Sequence, residues 1–242
     1  MATFLVAHGA WSAGWAWKKM RPRLRERGHE LWTPTYTGLG ERVHLASNDV
    51  KLDTHIEDIL KVLEFEDLRE VVLIGHSYGG MVATGVADRA PERIAQLIYL
   101  DAFVPRHGQS LFDLSVPEDR NNAREAAQKT GDAMRIPPRP MPADTNPADL
   151  AWANPRRVMQ PIAAFEQPIR LTGAVDQLRR TYIYCTKARP GDVFRQFADR
   201  AKSETGWEYR EIDASHNPHI TMPDVLAAML HELAGGPMGE LP

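Results

Sequence analysis

The chain has 242 residues, enough for one large α/β domain with a full core, and its 43% hydrophobic and 25% charged content excludes a disordered or fibrous protein. Its formal net charge of −3 gives no electrostatic reason to expect nucleic acid or an anionic membrane as a partner. The one cysteine, Cys185, excludes an internal disulfide, and no apolar run approaches membrane-spanning length. Strand-like sequence starts within three residues of the N-terminus, which leaves no room for a signal peptide, so a soluble cytoplasmic protein is expected.

The first predicted strand, 3–7, runs into His8-Gly9-Ala10-Trp11. Residues 15–27 have helical spacing, with Trp17, Met20 and Leu24 on one side and Lys18, Arg21 and Arg25 on the other; Gly28 is the predicted stop. A brief strand is expected at 31–34, then a loop over 35–44. Asp53 or Thr54 is the expected cap of the next helix, whose face carries Ile56, Ile59, Leu60 and Leu63. The apolar run 71–74 flows straight into Gly75-His76-Ser77-Tyr78-Gly79, and a pattern of small residues suited to a close-packed helix follows: Gly80, Ala83, Thr84, Gly85, Ala87. Another apolar run, 94–100, ends at Asp101-Ala102-Phe103. This βαβα rhythm with buried strands predicts a mostly parallel sheet covered by helices.

From 106 to about 181 no clear strand is visible and proline is frequent, too long a stretch for an ordinary connection. Short helices are expected at 123–129 and 161–165. Phe112, Leu114, Trp152, Met159 and Phe165 offer surface to bury, so 106–180 is read as a cap or lid over the carboxyl edge of the sheet, rather than a disordered linker. The core is then 1–105 together with 181–242. Its second part predicts a strand at 181–185, a helix at 193–201, a strand at 207–212, a helix at 225–233 and a loose tail from 235.

G-x-S-x-G between a buried strand and a helix is the context of a nucleophile elbow, in which a sharp turn lifts the serine hydroxyl above the sheet. Ser77 is the predicted nucleophile, and glycines at 75 and 79 meet the need for small residues on either side. A serine hydroxyl needs a neighbouring base. In this arrangement the base follows the last strand, where His216 stands in DASHNPH, with His219 as its rival. A loop H-x-x-H also raises a metal pair, but no third ligand cluster is visible and no metal is expected. The developing oxyanion needs two donors: the backbone N–H of Tyr78 at the elbow, and that of Ala10 after the first strand.

The stretches LVAHGAW, TPTYTGLGERVHL, VVLIGHSYGGMV, LIYLDAFVP, RTYIYCT and SHNPHITMPDVL cover nearly the whole chain outside the cap. By them the sequence resembles the α/β-hydrolases, in the branch of plant methyl esterases, hydroxynitrile lyases and short bacterial esterases. That resemblance implies a triad whose acid usually follows the penultimate strand. Here the turn reads Lys187-Ala188-Arg189-Pro190, with no carboxylate before Asp192. Asp101, after the strand that follows the nucleophile, occupies the position where other α/β-hydrolases such as haloalkane dehalogenases carry their acid. Asp101, Asp192 and a Ser–His dyad all remain open; Asp213 is too near His216 in sequence to reach its far nitrogen.

Hydroxynitrile lyases of this branch have threonine in place of Gly9 and lysine directly after the catalytic histidine, where this chain has Asn217. Hydrolysis is therefore expected: an acyl transfer that needs no metal or organic cofactor. Trp11, Phe103 and Trp152 are the expected substrate-binding aromatics, suited to an apolar or aromatic group. The resemblance to bacterial methyl-carbamate hydrolases implies small methyl esters or carbamates of aromatic compounds as substrates. The alternative is a non-catalytic small-molecule receptor on the same fold, as the missing carboxylate after Thr186 would suggest.

Overall fold

A computed structural model describes residues 1–187 and 191–236. Six strands form one sheet: β1 (Thr3–Ala7), β2 (Glu30–Trp32), β3 (Val71–His76), β4 (Ile94–Leu100), β7 (Arg180–Cys185) and β8 (Trp207–Ile212). Their order is β2-β1-β3-β4-β7-β8, and every pairing in it is parallel. Parallel neighbours require crossovers, and the crossovers here supply helices to both faces.

Side chains alternate across the sheet with the strand period of two. Phe4, Val6, Val72, Ile74, Ile98, Leu100 and Ile183 face one side, against Trp17, helix α1 (Met20–Glu26) and helix α9 (Pro223–Leu233). Leu5, Ala7, Val71, Leu73, Leu97, Tyr99 and Tyr182 face the other, against α2 (Leu52–Phe65) and α3 (Gly79–Arg89). Helix α3 is buried on nearly all sides, which explains why its sequence is made of small residues.

Several boundaries differ from the sequence reading. The first helix is split, with a 3₁₀ turn at Gly14–Trp17 before α1, because the chain must leave the β1 loop and turn onto the sheet. Helix α2 is not capped by Asp53: Lys51 is its N-cap, and the Thr54 hydroxyl accepts the Lys51 N–H at 3.1 Å. Asp53 instead accepts from Gln167. Helix α7 (Arg195–Ser203) is displaced by two residues from the expected bounds, and α9 starts two residues earlier than expected and ends where expected.

The long segment between β4 and β7 holds helices α4 (Asp119–Lys129), α5 (Pro147–Ala153) and α6 (Ala163–Glu166). It also contains what sequence did not show, a two-residue antiparallel ribbon of β5 (Arg135–Ile136) and β6 (Gln160–Pro161). Strands this short carry no alternation to recognise. A last short helix, α8 (Pro218–Thr221), precedes α9. The expected tail beyond 236 and the turn residues 188–190 lie outside the described residues. Among the described residues, no helix is long and apolar enough to cross a membrane.

Candidate active site

The carboxyl ends of β1, β3 and β4 meet at one point, and three residues there hold left-handed backbone without being glycine: Trp11 (φ 56°), Ser77 (φ 56°) and Asp101 (φ 42°). Such conformations cost energy and persist only where surrounding contacts enforce them. Those contacts are visible. The Ser77 N–H donates to the Leu100 carbonyl at 3.3 Å, the Ser77 carbonyl accepts from Phe103 N–H at 3.1 Å, and the Asp101 N–H donates to the Ile183 carbonyl at 2.8 Å. Gly79 is required by close approach, since a Cβ there would overlap the carbonyl oxygen of Ala7.

His216 reaches this point from the loop after β8. Its Nε2 lies 2.9 Å from Ser77 Oγ and its Nδ1 lies 2.6 Å from Asp101 Oδ2. A carboxylate accepts, so Nδ1 carries the proton and Nε2 is free to accept from the serine hydroxyl. Asp101 is fully buried and its Oδ1 accepts from the Cys185 N–H at 3.4 Å, while 22% of the His216 side chain is exposed. The Phe194 ring stacks on the imidazole at 4.9 Å.

Of the carboxylates weighed from sequence, Asp101 stands at His216. Asp192 is engaged elsewhere, accepting from the Tyr184 hydroxyl at 2.6 Å and from the Phe194 N–H at 3.0 Å. The rival histidine, His219, is buried and stacked on Trp17 at 4.7 Å, and burial pushes its pKa well below the ordinary value.

A cavity of about 660 Å³ opens over Ser77 and His216. Ala10 and Tyr78, the expected oxyanion donors, line it, as do Trp11 and Phe103. Trp152 does not. Helix α5 turns its ring edge-on to Trp15, with centroids 5.1 Å apart, where it packs against the α1 side of the core. Of the cap aromatics, Phe112 and Phe165 line the cavity, and Phe194 adds to the same wall.

Four residues not singled out as functional by sequence hold these parts in place. His76, between Gly75 and Ser77, donates its Nε2 proton to the His216 main-chain carbonyl at 2.8 Å. His55 donates from Nε2 to the Thr37 carbonyl at 3.1 Å, and its Nδ1 accepts from the Tyr78 hydroxyl at 2.7 Å, fixing the side chain beside the nucleophile. Tyr36 is stacked between His55 (4.7 Å) and His8 (3.8 Å). Gln160 on β6 accepts the Trp11 N–H at 3.2 Å, and the Trp11 indole donates to the Ile136 carbonyl at 2.9 Å, so the β1 loop is tied to the β5–β6 ribbon.

Burial holds the imidazoles of His8 and His76 down to a pKa of about 3 and that of His55 down to about 4. The hydrogen bonds fit that neutrality. His8 Nε2 accepts from the Tyr36 N–H at 3.2 Å while Nδ1 lies 2.9 Å from the Gly9 carbonyl, an arrangement with one ring proton. Spacing along the chain carries no signal for any of these partners, which come from four different segments. Among the described residues, no group of three or more histidine, cysteine, aspartate or glutamate side chains is arranged to hold a metal ion.

Residues 4–229 match the model of the Alpha/beta hydrolase family. Over 244 residues the chain is 39% identical to the carbendazim hydrolyzing esterase of Nocardioides sp. (strain SG-4G), covering 96% of this chain and all of that one. It is 25% identical to salicylic acid-binding protein 2 of Nicotiana tabacum, over 96% of each. Among solved structures, an extracellular alpha/beta-hydrolase from a Paenibacillus species superposes with a TM-score of 0.83 at 22% identity, over 96% of this chain and 98% of that one, a likeness of fold.

Proposed function

The chain belongs to the alpha/beta hydrolase family and is an esterase by its relatives, and we propose that it is a serine hydrolase acting on small carboxylic esters or carbamates through an acyl-enzyme. The observation that carries this reading is the continuous chain of hydrogen bonds from Ser77 through His216 to Asp101, at 2.9 and 2.6 Å. His216 Nε2 takes the hydroxyl proton as Ser77 Oγ attacks the carbonyl carbon. Asp101 keeps the imidazole in the tautomer that can accept and stabilises the imidazolium that forms. The negative charge gathering on the carbonyl oxygen is met by the backbone N–H groups of Ala10 and Tyr78, each such donor contributing about 3 kcal/mol of transition-state stabilisation. His216 then returns its proton to the departing alkoxide or amine, and activates the water that releases Ser77.

Segment 106–180 acts as a cap: Leu111, Phe112 and Phe165 from it wall the cavity and make it suited to an apolar or aromatic substrate. The carbendazim-hydrolysing relative supports a methyl carbamate or methyl ester of an aromatic compound as the substrate class. Lyase chemistry fits poorly. A Cβ at Gly9 would come within 2.9 Å of His76 Nδ1 and 3.2 Å of Ser77 Cβ, leaving no room for a threonine, and Asn217 brings no positive charge.

Hydrolysis of p-nitrophenyl acetate, methyl benzoate and an aryl methyl carbamate by the wild type and by Ser77→Ala tests the reading. Turnover in the first and none in the second is expected. Ligand binding without turnover in the wild type would instead fit a receptor.

A further inference from the structure

Three cations of the described residues line the cavity, and two of them already have a carboxylate. Arg139 Nη2 lies 3.2 Å from Asp119, and Lys187 Nζ lies 3.3 Å from Asp144. The third, Arg157, has no carboxylate partner among the described residues. It sits directly after the 3₁₀ turn Asn154–Arg156, and its Nη1 donates to the main-chain carbonyl of Arg139 at 2.6 Å. That bond uses one of five guanidinium N–H donors. Burial lowers the pKa of the group, with no opposing charge beside it. A partly desolvated cation without a counter-charge is costly, and an incoming anion would relieve that cost.

Arg139, whose carbonyl holds Arg157, lays its guanidinium over the Trp11 ring at 5.9 Å. Arg157 and Arg139 both come from the segment between β4 and β7, and they line the cavity that Ser77 and His216 also line. Trp11, Phe112 and Phe165 give the same cavity apolar walls.

Resting on the esterase reading, we propose that Arg157 is a specificity residue that receives an anionic oxygen group of the substrate, a carboxylate first of all, separate from the carbonyl that is cleaved. The preferred substrates are then half-esters: an apolar or aromatic body with a cleavable ester at one end and a carboxylate at the other. The planar fork of arginine matches a carboxylate through two parallel hydrogen bonds, which a lysine does not reproduce.

The test compares monomethyl terephthalate with methyl benzoate, which share the ring and the methyl ester and differ by the distal carboxylate. Arg157→Gln is expected to lower kcat/KM for the half-ester at least tenfold more than for methyl benzoate, with the difference carried by KM, and Arg157→Lys to restore part of it. The intrinsic reactivities of the two esters cancel in this comparison between variants. Loss of the same size on both esters would overturn the proposal while leaving the esterase reading intact. If the wild type hydrolyses neither ester, calorimetry of terephthalate with Ser77→Ala and with Ser77→Ala/Arg157→Gln decides: tenfold weaker binding in the double variant supports Arg157 as the anion site, and equal or no binding overturns it.

Discussion

Asp101 and His216 are 115 positions apart in the chain, yet the carboxylate of one meets the imidazole of the other at 2.6 Å. The contact depends on Asp101 holding left-handed backbone just beyond β4, a conformation that its N–H bond to the Ile183 carbonyl helps to enforce. Asparagine tolerates that conformation and keeps the side-chain shape. Asp101→Asn is therefore expected to fold normally, with an unchanged circular dichroism spectrum, while kcat for an ester falls roughly 10³- to 10⁴-fold. Wild-type turnover in this variant would remove Asp101 from the mechanism.

The Tyr78 hydroxyl donates to a fully buried imidazole. Tyr78→Phe leaves His55 Nδ1 without its donor and should destabilise the fold by about 1–3 kcal/mol. Equilibrium unfolding in urea measures this. An unchanged midpoint would show that the His55 bond carries no net stability.

Gly9 is pressed between His76 and Ser77. Gly9→Thr is expected to cut esterase turnover by a factor of 10² or more, through displacement of Ser77, and to confer no cyanohydrin cleavage. Assays of both reactions on the purified variant check this; a gain of lyase activity would contradict the steric account.

His8, His55 and His76 are held neutral by burial, with folded pKa values of about 3, 4 and 3. In the unfolded chain each titrates near 6.5, so between about pH 4 and 6.5 the unfolded state binds more protons than the folded one. Stability is therefore full above pH 6.5 and lost as pH falls through that window, by up to ~2 kcal/mol per histidine at pH 5. Urea midpoints at pH 7.5 and pH 5 should differ clearly, and His55→Phe should weaken that dependence. Equal midpoints at the two pH values would show that these rings titrate alike in both states.

The sheet strands, the elbow and the histidine after β8 were legible because each leaves a local signature: buried apolar runs, a glycine-flanked serine, and a loop at a fixed place in the chain order. Asp101 was legible only as one of several candidates, since nothing near it in sequence says which carboxylate reaches His216. Trp152 misled for the same reason. An aromatic residue in a cap segment reads alike whether it faces the cavity or, as here, Trp15. His55, His76 and Gln160 act through partners far away in the chain, and no periodicity reports a contact of that kind.

The central claim is that Ser77 is the nucleophile, activated by His216. Its most direct test is intact-mass and peptide mapping after exposure to a fluorophosphonate, for the wild type, Ser77→Ala and His216→Ala. One adduct on Ser77 in the wild type, none in Ser77→Ala and strongly slowed labelling in His216→Ala is the predicted result. An esterase that turns over substrate yet takes the label elsewhere, or is labelled equally fast without His216, would contradict it.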